Sequence, residues 1–107
     1  MSPWMNLFIA GLFEIGFAAS LKLSAGQTKI FWTAMFYACV IASFWFLNQA
    51  VKAIPIGTAY AVWTGVGAAG TAVVGIILFK EPATALRIAF LVLLIASIVG
   101  LRAVSGE

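Results

Sequence analysis

The chain has 107 residues, 64% of them in the AVILMFWYC set and only 8% charged, where an average soluble domain is about half apolar and about a quarter charged. That composition excludes a water-soluble fold. With no His, one Cys and three acids, the residues for a multi-ligand metal site, a disulfide framework or a Ser/His/Asp triad are missing, and no cofactor signature is present. The net charge of +3 comes from six basic residues standing singly, Lys22, Lys29, Lys52, Lys80, Arg87 and Arg102. They form no nucleic-acid patch; each lies where an apolar run starts or stops, as side chains that snorkel to an interface do.

At about 20 residues per bilayer crossing, this length predicts an all-α membrane protein, one domain over 1–107 with four transmembrane helices and no separate soluble domain. The first span, 3–23, is interrupted only by Glu14 before the polar end at Lys22 and the turn Ser24-Ala25-Gly26-Gln27-Thr28. A cleaved signal peptide is the competing reading; the absent basic n-region, the internal Glu and three further spans argue against it. The second span, 30–51, carries no charge and is closed by Lys52-Ala53-Ile54-Pro55. The third, 55–79, is also uncharged yet holds Gly57, Gly65, Gly67, Gly70 and Gly75, which predicts a helix that is kinked or tightly packed, with Gly65 and Gly67 as a candidate hinge. After the polar turn Lys80-Glu81-Pro82 comes the fourth span, 84–104, in which Ala96 and Gly100 are spaced for helix pairing and are the candidate dimer-packing residues. Basic residues divide four to two in favour of the loops after helices 1 and 3, a lean toward outside termini that leaves insertion in both orientations open. A multi-pass location in the cell inner or plasma membrane follows.

Glu14 is the acid that cannot reach an interface. It lies about a dozen residues into helix 1, where an ionised side chain costs about 2.5–3.5 kcal/mol or more, and desolvation disfavours its charged form, so it can trade a proton for a cation. The alternative is a structural partner for a basic side chain, but every Lys and Arg stands near a span end. Helical spacing puts Ala10, Gly11, Phe17 and Ala18 on the Glu14 face, small residues and one ring that leave space for a ligand. On helix 3, Tyr60, Trp63 and Gly67 form one stripe with a phenol, an indole and a gap; aromatic faces attract organic cations. Trp4, Trp32 and most Phe residues read instead as interface belt or packing. For Ser43, mid-span in helix 2, a bond back to its own turn of backbone and a site role are equally open. Asn48, Gln49, Thr64 and Thr71 read as structural, and Cys39 as a small buried hydrophobe.

One acid in the spans, four spans and no cofactor resemble the small multidrug resistance family, and the likeness covers nearly the whole chain. Its most specific piece is Pro55-Ile56-Gly57-Thr58-Ala59-Tyr60-Ala61-Val62-Trp63-Thr64-Gly65-Val66-Gly67-Ala68, which resembles the helix 3 signature of the guanidinium-exporter subtype. Ala10-Gly11-Leu12-Phe13-Glu14, Lys80-Glu81-Pro82 and Gly100-Leu101-Arg102 are similar as well. The resemblance implies an antiparallel dimer exporting a small cation by antiport with protons, without cofactor or metal. It implies Glu14 as the shared proton and substrate site, Ser43, Tyr60 and Trp63 as the network orienting the carboxylates, and Gly11 and Phe17 as lining. The subtype usually carries Trp three residues after its central Glu, where this chain has Phe17. That departure allows larger substituted guanidinium compounds as cargo, or a heterodimer with a paralogue in place of a homodimer. Ser43-Phe44-Trp45 resembles the drug-exporting subtype, so export of quaternary ammonium cations is the rival reading. A non-transporting membrane assembly subunit is the rival of another class. Catalysis lacks a base, nucleophile and oxyanion arrangement.

Overall fold

The computed structural model describes residues 2–104. It contains four α-helices in chain order, α1 Pro3–Leu23, α2 Ile30–Ala50, α3 Ile56–Leu78 and α4 Ala85–Val104, and no strand among the described residues. At 1.5 Å per residue each helix is about 30 Å long or slightly more, enough to cross the hydrocarbon of a bilayer. All four are also apolar enough to do so.

The helix ends follow from local chemistry. Ser2 caps α1 by accepting from the Met5 amide at 3.1 Å, and Pro3 takes the first helical position, where its missing N–H costs nothing. Beyond α1 the buried Ser24 organises the turn: its hydroxyl donates to the Leu21 carbonyl at 2.7 Å and accepts from the Gln27 amide at 3.1 Å. Between α2 and α3, the Ala53 and Ile54 amides both reach the Ala50 carbonyl, and Ile54 tucks its side chain into the core before Pro55 opens α3. After α3 the chain reverses at Lys80, whose φ of 55° lies in the left-handed region, and the Glu81 amide returns to the Gly75 carbonyl at 3.1 Å. Glu81 then pairs with Arg87 at 2.7 Å, while the Thr84 hydroxyl accepts from the Arg87 amide.

The core joins α1, α2 and α3. Leu7 and Ala10, Leu47 and Ala50, and Ala59, Val62 and Trp63 meet there with Ile54 of the connecting turn. In α4 no residue is buried, and α4 lies close to α3 alone. A bilayer removes most of the hydrophobic drive between helices, so close backbone approach must hold them together, and small residues permit it. Gly11 of α1 receives Val66 of α3, and on α3 Gly67 receives Glu14 and Gly70 receives Ile15. These contacts advance along both helices in the same direction, as the up-down-up topology requires.

Helix α3 is continuous through Gly65 and Gly67. Residues two apart on an α-helix point in nearly opposite directions, and these two glycines serve opposite neighbours. A Cβ on Gly65 would stand 2.8 Å from Cδ1 of Ile98 on α4, whereas one on Gly67 would run into the Glu14 carboxylate on α1. Of the two expectations for this glycine-rich span, tight packing is what the structure displays.

Candidate functional site

Glu14 sits on the face of α1 turned to α3. The side chain as a whole is half-buried, but its Oε1 is fully enclosed and has no hydrogen-bond partner. The missing side chain of Gly67 makes the seat in which the carboxyl rests. An unpartnered carboxylate away from water is unfavourable by several kcal/mol or more in an apolar medium. A proton, or a cation that supplies N–H donors or positive charge, would answer the enclosed oxygen.

One turn before Glu14 a buried polar chain crosses all three core helices. The Trp63 indole N–H of α3 donates to the Ser43 hydroxyl of α2 at 3.0 Å, and that hydroxyl donates to the Ala10 carbonyl of α1 at 2.7 Å. Ser43 is fully buried and Trp63 is 7% exposed. Ser43 thus bonds across to another helix, and the alternative of a bond to its own turn is not what the structure contains. Each donor in the chain finds an acceptor, which lets three polar groups lie inside without loss. The chain ends on the backbone of α1 and not on the Glu14 carboxyl, so Ser43 and Trp63 fix the helix that carries Glu14.

Tyr60 shares the stripe with Trp63, and its ring centroid is 5.7 Å from the indole. It is nonetheless 57% exposed, and its hydroxyl has no hydrogen bond among the described residues. Trp63 looks inward from the same stripe, where Phe44 also meets its ring at 5.3 Å. The expected lining residues are occupied by packing within the chain. Gly11 is closed by Val66, and Phe17 lies edge-on to Phe36 at 6.0 Å and against the core. The space expected beside Glu14 is likewise taken by α3 at Gly67, because the small residues that make room on α1 also let the next helix approach. Hollows of about 610 Å³ and about 300 Å³ lie elsewhere among the described residues, and Glu14 lines neither. No group of three or more His, Cys, Asp or Glu placed to hold a metal occurs among the described residues.

Ala96 and Gly100 lie on the exposed α4, and nothing approaches within 4 Å of the position a Gly100 side chain would take. The stripe expected to pair helices is therefore open. Sequence reasoning missed the Ala10 carbonyl, since any backbone carbonyl is the same in a sequence. It also missed the stacking of Phe13 on Phe46, with centroids 5.8 Å apart beside Glu14, and the placement of Arg102 over the Trp4 ring at 5.4 Å.

The family model described as Small Multidrug Resistance protein matches residues 2–94. Among curated relatives, proteins named "Guanidinium exporter" from Proteus vulgaris, Yersinia pestis and Escherichia coli (strain K12) are similar to the chain. The Proteus protein is 43% identical and the Yersinia protein 45% identical over 102 residues, covering 95% of this chain and 98% of each relative. The Escherichia protein is 42% identical over 99 residues, 92% of this chain and 94% of that relative. With four helices apolar and long enough to span, a family match over most of its length and relatives covered almost end to end, this multi-pass membrane protein belongs to the small multidrug resistance family.

Proposed function

We propose that the chain is a proton-coupled antiporter exporting guanidinium or small substituted guanidinium cations, with protons and cargo competing for Glu14. The observation that carries this reading is the enclosed, unpartnered Oε1 of Glu14 in a chain 42–45% identical to proteins named guanidinium exporters. A carboxylate that is favourable only with a proton or a cation binds one or the other, and mutually exclusive loading is the minimum condition for antiport. Guanidinium meets that need because its planar N–H fork matches carboxylate oxygens two at a time. No bond is made or broken, so this is transport and not catalysis.

Two Glu14 carboxyls, one from each protomer of an antiparallel dimer, then share the cargo. In this reading the Gly67 seat opens as protomers move against one another, with α3 flexing at Gly65 and Gly67 and the Ala96 and Gly100 stripe of α4 holding the pair together. Gly11 and Phe17 face the cavity once it forms, Tyr60 supplies its exposed phenol, and the buried Trp63–Ser43 pair keeps α1 in register. The open α4 face supports assembly with a second chain, identical or paralogous. Purified protein in liposomes tests the proposal. Wild type should move guanidinium against a proton gradient and Glu14→Gln should not, because Gln keeps the size of the side chain and loses its titration. Guanidinium-driven proton flux that persists in Glu14→Gln sinks the competition mechanism.

A further inference from the structure

The smaller hollow, about 300 Å³, lies between α1 and α3 at the end where α4 begins. The charged groups that face it are Lys22 of α1 and, beyond α3, Glu81 and Arg87. Glu81 and Arg87 pair at 2.7 Å, and the Lys22 ammonium lies 5.0 Å from the centre of the Phe79 ring. From Phe79 back to Thr71 the hollow follows about two turns of α3, about 12 Å at the helical rise, so its inner part lies deep in the span. Thr71 is the polar side chain at that depth, and its hydroxyl makes no hydrogen bond among the described residues. Thr71 also stands one turn beyond Gly67, and a helical side chain leans toward the turn before it. Cβ atoms four residues apart on a helix are about 5–6 Å from one another. Because the Glu14 carboxyl overlaps the place of a Gly67 Cβ, it lies roughly 6 Å from the Thr71 Cβ, a gap that the hydroxyl and one water close.

We propose that this hollow is a hydrated proton path inside the chain, in which Thr71 passes protons between Glu14 and water from the loop side; the inference rests on the reading of Glu14 as a proton site. Two features select water as the occupant. A held water needs about two to four polar partners and about 30 Å³ of space, and Lys22, Glu81, Arg87 and Thr71 supply the partners in a volume that takes several waters. An acyl chain would instead bring hydrocarbon against three charged groups and a hydroxyl. In each pass the Thr71 hydroxyl takes up one proton on its oxygen as it gives its own to the next acceptor, so the side chain ends unchanged. Glu14 does not itself line the hollow, and its contact with Gly67 closes the seam beside it. A proton crosses that contact where a cation of guanidinium size does not.

Thiol labelling of the full chain in liposomes reads the water independently of transport. In a Cys39→Ala background, Ala72→Cys puts a thiol in the hollow, and Val73→Cys puts one at the same depth on another, exposed face. A thiol reacts as its thiolate, which forms in water and not in hydrocarbon, so a charged methanethiosulfonate should label Ala72→Cys at least roughly tenfold faster. Stopped-flow mixing of guanidinium with the purified chain, at a pH where Glu14 holds its proton, then follows proton release with a pH dye. Thr71→Val should release as many protons roughly tenfold more slowly, the worth of one hydrogen bond, and Thr71→Ser restores the hydroxyl and should recover the rate. Ala72→Leu fills the hollow and carries the same expectation if Thr71→Val does not fold. Labelling of Ala72→Cys no faster than of Val73→Cys, or release at the wild-type rate in the folded variants, overturns the proposal. Wild type that binds guanidinium and releases no proton refutes the reading of Glu14 and the path with it, whereas failure of the path alone leaves release complete and fast.

Discussion

Replacing Gly67 by Ala adds a single methyl group at the point where the structure has least room for it. The new Cβ would overlap the Glu14 carboxyl and stand 2.7 Å from its Cγ. Forcing one extra carbon into a packed contact costs about 1–3 kcal/mol. Glu14 is the more mobile party, since α3 is anchored through Trp63 and Ser43 and a carboxyl can swing about its own χ angles. If Glu14 binds the cargo as proposed and the Gly67 seat sets the carboxyl's position for it, the displacement should appear as an affinity loss of up to roughly 5- to 150-fold. Titration calorimetry with guanidinium in detergent, above the pH at which Glu14 is protonated, reads that loss directly. Gly57→Ala is the control, because nothing lies within 4 Å of its added carbon. The double variant Gly67→Ala/Glu14→Asp shortens the acid by one methylene and should regain part of the affinity. If folded Gly67→Ala binds as wild type does, or if the shorter acid makes matters worse, Gly67 does not seat the carboxyl and the account of the α1–α3 seam is wrong.

Two further outcomes follow from the same geometry. Ser43→Ala strands the buried Trp63 N–H, at about 1–3 kcal/mol for the unpaired donor, and removes the cross-helix donor from the Ala10 carbonyl, which keeps its helical bond. Thermal melts in detergent should show Ser43→Ala falling further below wild type than the Ser43→Ala/Trp63→Phe pair falls below Trp63→Phe, and strictly additive effects would refute the chain of bonds. If protons and cargo compete for Glu14, as proposed, acidification must weaken cargo binding. Below the carboxyl pKa the apparent Kd should rise roughly tenfold per pH unit for each proton displaced, and a Kd that stays level as the pH falls through that range would contradict competition at Glu14.

Much of the architecture was legible without coordinates, because crossing a bilayer is a demand on length and composition that each segment meets locally. Uncharged runs, single basic residues at their ends and Pro- or Gly-bearing turns therefore announced four helices. Glu14 stood out by the cost of placing an acid at mid-depth. Tyr60 and Trp63 show where such reasoning stops. Periodicity placed them on one stripe, yet only about 60° separates an inward indole from an outward phenol, and which side of that angle is covered depends on where α2 passes.

The glycines of α3 mark the same boundary more sharply. Their number in one span signalled a bend or a close approach, and both follow from a missing side chain. Composition could not tell which neighbour approached. Tertiary packing assigned Gly65 to Ile98 and Gly67 to the Glu14 carboxyl, and it assigned the Ser43 hydroxyl to one carbonyl of α1 among many alike. Helix formation and insertion are decided by residues close in the chain, whereas these pairings depend on the depth and rotation at which separate helices meet, which emerge only when all of them pack at once.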